Sequence, residues 1–196
     1  MSSSPQPVTD LLAALRGALS TLGLRWFLFG AQAAILYGVA RLSADVDVTV
    51  ELGERSATDL VAALDEAGFE LRVPDAAGFV EATRVLPFVH RASRMPLDVV
   101  LAGPGLEERF LAAAREQFVG DVPVPVVCAE DLVAMKVLAG RARDLDDVAV
   151  IARVRRDTLD LDRVRRTLRL LEDALDRRDL VSELERVVAA ARRLPS

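Results

Sequence analysis

Apolar positions along this chain change period several times, and each change marks a predicted element. Leu11, Leu12, Leu15, Leu19 and Leu22 recur at helical spacing, which predicts a first helix with Thr9 as N-cap and Gly23 as its stop. Trp26 to Phe29 is a short aromatic-rich run, read as a buried strand. Gly30 interrupts it, and Ala31 to Tyr37 reads as a short helix closed by Gly38. In Val46 to Val50 every second residue is valine, the period of a strand with one buried face. Ser56 opens a helix with apolar positions at Leu60, Val61, Leu64 and Ala67, ended by Gly68. Phe69 to Val73, Val85 to His90 and Leu97 to Leu101 read as strands, and Leu106 to Gln117 as helix. Val122 to Val127 carries two prolines, which predicts an edge strand or an extended connection. From Ala129 to Leu194 the pattern is helical throughout, in about four segments.

The order of elements gives an α/β (α+β) fold class: a mixed central sheet flanked by helices over residues 1–127, then a C-terminal helical region over 128–196, expected to pack on the core. The 196 residues suffice for one such core with a helical appendage. One cysteine excludes an internal disulfide and points to a cytoplasmic setting. No run of about 18 apolar residues predicts a membrane span. The Ser- and Pro-rich first seven residues have no basic stretch, unlike a signal peptide. The net charge of −5 is unevenly spread. Residues 1–140 hold 11 basic and 18 acidic side chains, and residues 141–196 hold 14 and 12. The acidic part suits a divalent cation. The Arg-rich part suits a phosphate chain or RNA, or is a solvated helix surface of alternating charge.

The strand pattern places Val46, Val48 and Val50 on one face and Asp45, Asp47 and Thr49 on the other, with the two carboxylates about 6.5–7 Å apart at Cα. Like charges this close repel, and a cation between them removes the repulsion. Mg²⁺ prefers oxygen ligands and commonly takes one or two carboxylates plus substrate phosphates. Asp98 is the lone charge in the apolar run Leu97 to Leu101. Should its strand lie beside Asp45 and Asp47, three carboxylates converge, enough for two metal ions serving an in-line phosphoryl displacement. A helix starting right after Gly30 would offer free backbone N–H groups to a triphosphate.

Gly30-Ala31-x-Ala33 followed by Arg41-x-Ser43-x-Asp45-Val46-Asp47-Val48 resembles the signature of the DNA polymerase beta-like nucleotidyltransferase superfamily. Leu132-x-x-x-Lys136-x-x-Ala139 and Arg141-x-x-Asp144-x-x-Asp147 are similar to two further motifs of its minimal bacterial AbiEii/AbiGii toxin-type members. The likeness runs from about residue 24 to 152. Ala31 departs from the usual Gly or Ser, which removes a hydroxyl contact but keeps the backbone N–H. Ser43 replaces the commoner threonine.

The resemblance implies a nucleotidyltransferase that moves a nucleoside monophosphate from an NTP to an acceptor hydroxyl. It implies that Asp45, Asp47 and Asp98 hold Mg²⁺, two ions in all, and that Lys136 reaches the triphosphate as a point charge. Gly30, Ala31, Arg41, Ser43, Asp144 and Asp147 would bind or orient the nucleotide. Asp144 and Asp147 share a helix face and would orient Lys136 or Arg41, position the acceptor, or only favour the helix dipole. Arg41 would contact phosphate or pair with Asp144. Lys136 is the only lysine among 25 basic residues, which favours a role for a compact ammonium. RNA, at the 3′ end of tRNA, is the acceptor the family implies, with a cognate antitoxin as protein partner. A small-molecule, aminoglycoside-type transferase and a catalytically silent nucleotide-binding module are the rival readings. His90, the sole histidine, and Cys128 read as structural.

Overall fold

The computed structural model describes residues 6–193. Residues 1–5 of the Ser- and Pro-rich start, and Leu194 at the end of the last expected helix, lie outside the described residues. The described chain separates into two compact units. One comprises the chain up to Gln32 together with Leu42–Val127, and the other comprises Ala33–Arg41 with the chain from Cys128 on.

The first unit is built on a mixed seven-stranded sheet in the order β3-β4-β5-β2-β1-β7-β6. Its strands are β1 (Arg25–Phe29), β2 (Val46–Glu51), β3 (Phe69–Leu71), β4 (Val85–His90), β5 (Pro96–Leu101), β6 (Arg115–Val119) and β7 (Val122–Val126). Its helices are α1 (Gln6–Leu22), the start of α2 (Gly30–Leu36), α3 (Ala57–Glu66), α4 (Ala76–Thr83) and α5 (Leu106–Ala113). β2 runs antiparallel to β1 and parallel to β5. The valines of β2 are fully buried, as are Phe27 and Leu28 of β1 and Leu97 and Val99 of β5. Each such side chain contributes about 1.5–3 kcal/mol of burial, so the central strands hold their register firmly. A slip of one residue would turn every valine to the opposite face. On α1, Leu11, Leu12, Leu15 and Leu19 form the fully buried stripe that the spacing predicts.

Several expectations are corrected. Thr9 is not an N-cap: α1 already runs at Gln6, and the Thr9 hydroxyl donates back to the Gln6 carbonyl at 2.8 Å. α4 is a helix that the apolar pattern does not show, capped by Asp75, whose carboxylate accepts from Gly78 N at 3.0 Å. The helix expected to reach Gln117 ends at Ala113, and Arg115–Val119 is an edge strand. β7 therefore lies inside the sheet. Its prolines are tolerated because of direction. Val127 N donates to Leu28 O of β1 at 3.0 Å, and strand alternation aims the backbone nitrogens of Pro123 and Pro125 the same way. Pairing with β1 is confined to Leu28 and Val126, past both prolines. Gly120, at φ 63°, and Asp121 form the two-residue turn between Val119 and Val122.

In the second unit, α6 (Ala129–Ala139), α7 (Ala142–Val154), α8 (Leu161–Leu175) and α9 (Leu180–Arg193) bury Leu132, Val133, Val148, Ile151, Val164, Leu168 and Leu184. Gly38 belongs to this unit. At φ 100° with Val154 beside it, a Cβ there would lie 2.9 Å from Val154 Cγ1.

Ser56 caps α3 in a reciprocal box: its hydroxyl accepts from Asp59 N at 3.1 Å, and Asp59 Oδ2 accepts from Ser56 N at 2.8 Å. Ser56→Ala should destabilise the chain by about 1 kcal/mol, read as a lower thermal midpoint by circular dichroism. An unchanged midpoint would show that the cap carries no stability.

Candidate nucleotidyl-transfer site

The register across the sheet assembles the acidic part of the site. Phe29 of β1 lies opposite Asp47 of β2, Asp47 opposite Asp98 of β5, and Asp98 opposite Pro87 of β4. Directly paired residues of neighbouring strands project to the same face, with strands about 4.8 Å apart. Asp47 and Asp98 are therefore side-by-side carboxylates on one face, brought together from positions 51 residues apart in sequence by the buried valines and leucines on the other face.

Asp45 stands one residue before β2, outside the ladder. Strand alternation does not fix it, contrary to the sequence expectation. Ser43 does: its hydroxyl donates to Asp45 Oδ1 at 2.5 Å, while Gln32 Nε2 donates to the Asp45 carbonyl at 3.3 Å. The carboxylate at position 45 is thus exposed yet tethered.

Gly30 is required twice over. Its φ is 66°, and a Cβ on it would lie 2.8 Å from Asp47 Cγ. Any other residue there would push into the Asp47 carboxylate. α2 starts at this glycine and is only seven residues long. Ala31, next in the chain, is buried.

Asp98 is engaged by a residue that the sequence reading passed over. The Arg72 guanidinium forms a hydrogen-bonded ion pair with Asp98 Oδ1, while Arg72 Nε donates to the Phe88 carbonyl at 3.0 Å and its backbone N to the Pro87 carbonyl at 2.8 Å. Among the described residues, no three His, Cys, Asp or Glu side chains are gathered closely enough to hold a metal ion, so the three-carboxylate cluster expected of Asp45, Asp47 and Asp98 is not closed. The donor chemistry nonetheless fits a hard divalent cation: oxygen ligands on one face, in register, with Asp98 more than a third exposed.

In the second unit the motif residues form one charge cluster. Gly140, at φ 65°, ends α6 and lets α7 fold back. Lys136 Nζ then lies 3.1 Å from Asp144 Oδ1 and 2.7 Å from Asp147 Oδ2, and all three side chains are buried. Arg41 Nη1 reaches Asp147 Oδ2 at 2.9 Å, and Arg141 Nε reaches Asp144 Oδ2 at 2.5 Å. Arg41 thus pairs with Asp147 rather than Asp144. Burial works against ionisation of Asp144, but the hydrogen bonds from Arg141 and Lys136, with their charges, win and hold its carboxyl below its ordinary value. Of the roles open to Asp144 and Asp147 from sequence (orienting Lys136 or Arg41, positioning the acceptor, favouring the helix dipole), the structure supplies contacts with Lys136, Arg41 and Arg141.

The bland readings of His90 and Cys128 match their surroundings. His90 is buried, with Nδ1 2.8 Å from Ser93 Oγ and its ring against Phe69, and burial lowers its pKa. Cys128 is half-buried rather than fully buried. Burial and its bond to Asp131 push the thiol up to about 12, so it is no nucleophile at neutral pH. Much of the Arg-rich surface is internally paired: Arg165 with Glu185 and Asp162, Arg177 with Asp179, Arg186 with Glu183. No helix among the described residues is long and apolar enough to cross a membrane.

None of the curated proteins compared matches the chain in sequence. Solved structures that share its fold include two nucleotidyltransferase-type proteins. The first is an antigenic nucleotidyltransferase-like protein from Paracoccidioides brasiliensis, 17% identical, with a TM-score of 0.58 over 93% of this chain and 94% of that one. The other is the lincosamide antibiotic adenylyltransferase LnuA, solved with lincomycin bound. It is 12% identical, with a TM-score of 0.53 over 78% of this chain and 99% of that one. Sequence resolves the family more finely than fold does. The model of the nucleotidyl transferase AbiEii toxin of type IV toxin–antitoxin systems matches residues 13–194, and this chain belongs to that family of nucleotidyltransferases.

Proposed function

We propose that this nucleotidyltransferase moves a nucleoside monophosphate from an NTP to the 3′-terminal hydroxyl of an RNA, with Mg²⁺ bound to Asp45, Asp47 and Asp98, as the toxin of a bacterial, cytoplasmic pair with an antitoxin. The observation that carries the reading is the direct register of Asp47 with Asp98 next to Gly30. When bound, the metal supplies charge neutralisation on the phosphate oxygens and a template for in-line attack. The chain's own residues do the rest. Gly30 and Ala31 offer backbone close to Asp47. Ser43 holds the Asp45 carboxylate in place. Asp98 accepts the proton of the attacking hydroxyl, and pyrophosphate leaves. Lys136 and Arg41 are the cations for phosphate. Arg41, with a quarter of its side chain exposed, is the more accessible of the two, and Asp144 and Asp147 set the position of Lys136.

The experiment is incubation of the chain with Mg²⁺, each labelled triphosphate in turn and total RNA. Label should enter RNA. Transfer only to an aminoglycoside would replace the RNA reading, and saturable triphosphate binding without transfer would favour a silent binding module. Asp47→Asn should cut transfer at least about 100-fold, the scale of losing one transition-state electrostatic contact. Undiminished transfer would remove Asp47 from the site.

Gly30→Ala should cost about 1–2 kcal/mol from the left-handed backbone alone and should also cut transfer, because the new methyl meets the Asp47 carboxylate. Retained activity in a destabilised protein would show that the close approach is only structural.

Lys136→Met removes the buried cation that Asp144 and Asp147 share, leaves each with its arginine alone, and should destabilise by about 1.5–3 kcal/mol at neutral pH, the scale of a charged hydrogen bond. Because the folded-state pKa of Asp144 is depressed, its stabilisation is present above the unfolded value of about 3.9 and lost as pH falls below it. The stability gap between wild type and variant, measured by urea unfolding, should therefore shrink as pH drops through about 4. A gap that is constant with pH would refute the charge explanation.

A further inference from the structure

Beside Asp98, on the side away from Gly30, lies a cavity of about 430 Å³. That is within the roughly 300–1,000 Å³ range of small-ligand sites. It is walled by Val73, Phe79, Val85 and Pro87, and Arg72 and Asp98 supply its charged side chains. The sheet order fixes the sides: Gly30 follows β1, Asp47 is on β2, Asp98 on β5, Pro87 on β4, and the segment bearing Arg72 follows β3. A nucleotide held at Gly30 and Asp47 leaves this cavity to the other reactant. Phe79 of α4 is an aromatic left more than a third exposed, a face on which a base can stack.

The decisive feature is how Arg72 is held. Its Nε and backbone N are tied to β4 carbonyls, independently of its ion pair with Asp98. Both members of that pair are nearly two-fifths exposed, and pairs of this kind contribute little, so a divalent cation can take Asp98 from the arginine. The guanidinium then cannot swing away. It stays at the cavity, without its counter-charge and with Nη donors open, next to a bound cation. Such a site attracts an anion and repels a polycation, and the planar fork matches phosphate.

We propose that this cavity is the acceptor subsite, that it takes a phosphate-bearing nucleoside, and that Arg72 covers Asp98 in the free protein and reads the acceptor phosphate once a cation claims Asp98. The inference rests on the transfer reading above and adds the acceptor's chemistry and a specificity residue to it.

The two roles of Arg72 predict changes of opposite sign. In Arg72→Gln, Mn²⁺ binding followed by electron paramagnetic resonance should tighten several-fold, because the internal competitor is gone. Binding of a nucleoside 5′-monophosphate, titrated with Mn²⁺ and a saturating non-hydrolysable triphosphate present, should weaken about tenfold, the loss of a charged hydrogen bond. Phe79→Ala should weaken monophosphate binding and leave Mn²⁺ affinity unchanged. Wild type should bind the monophosphate better than the bare nucleoside or neomycin. A short RNA binding better than the monophosphate would identify a chain end as the source of the phosphate, and equal binding a free nucleotide, both consistent with the proposal. Arg72→Lys, which keeps charge but not the fork, serves should the glutamine variant unfold, and should lose phosphate affinity while Mn²⁺ affinity stays near wild type. Parallel loss of both affinities with a lowered thermal midpoint, unchanged Mn²⁺ and phosphate binding in Arg72→Gln, or wild-type preference for neomycin would each overturn it. These titrations need no turnover. A chain that binds as described but transfers no label refutes the transfer reading alone.

Discussion

The site depends on one pairing, that of β2 with β5. These parallel strands lie in direct register from Val46↔Leu97 to Val50↔Leu101, and their inward faces are valine and leucine buried to completion or nearly so. Burial of those side chains sets which residues face outward, and two of the outward residues are Asp47 and Asp98. Two unit charges at about 5 Å repel by roughly 1 kcal/mol in water and about 3–4 kcal/mol at an effective dielectric near 20. The apolar side of the ladder holds the carboxylates together against that cost. An acidic face is thereby a by-product of a hydrophobic register, and a strand slip would destroy core and face at once.

That repulsion needs a counter-charge, and the free protein supplies Arg72. Its position follows from the same sheet, since the backbone of residue 72 bonds to Pro87 O and Pro87 is the register partner of Asp98. Asp45 is handled differently, being tethered by Ser43 outside the ladder. The three acidic groups are thus restrained by three devices: steric packing on Gly30 for Asp47, an arginine for Asp98 and a neighbouring hydroxyl for Asp45. Only the first is rigid.

What was legible in the sequence was whatever strong periodicity or a glycine stop marks locally. The β2 alternation, the Ser56 cap and the four C-terminal helical segments all belong to that class. The fold class followed from the order of elements, and the family from motif order and spacing. What escaped depended on distant partners. Arg115–Val119 opens with three good helix formers, Arg, Glu and Gln, and it is a strand because β7 pairs with it through the Gly120-Asp121 turn. That glycine–aspartate pair between valines was the available signal. α4 buries no residue, so no apolar stripe announced it, and only Asp75 as a cap could have. Arg72 acts on a residue 26 positions away, and nothing local distinguishes it from other surface arginines. The reading of Asp45 as a strand residue failed at a boundary, where one residue decides whether pleat or side-chain bonding controls direction.

The single lysine of the chain has a physical explanation in its surroundings. Lys136 sits buried between two carboxylates on successive turns of α7, with Nζ inside 3.2 Å of both. An ammonium directs three donors from one point and fits between acceptors on one helix face. A guanidinium is a wide planar fork that would need the two helices to separate. The flanks of the same cluster, where space opens to solvent, are arginines: Arg41 on Asp147 and Arg141 on Asp144. Three cations thus converge on these two carboxylates. A buried pair of this kind adds little net stability compared with apolar packing, yet removing one partner is costly. Both flanking arginines reach solvent, Arg141 more than Arg41.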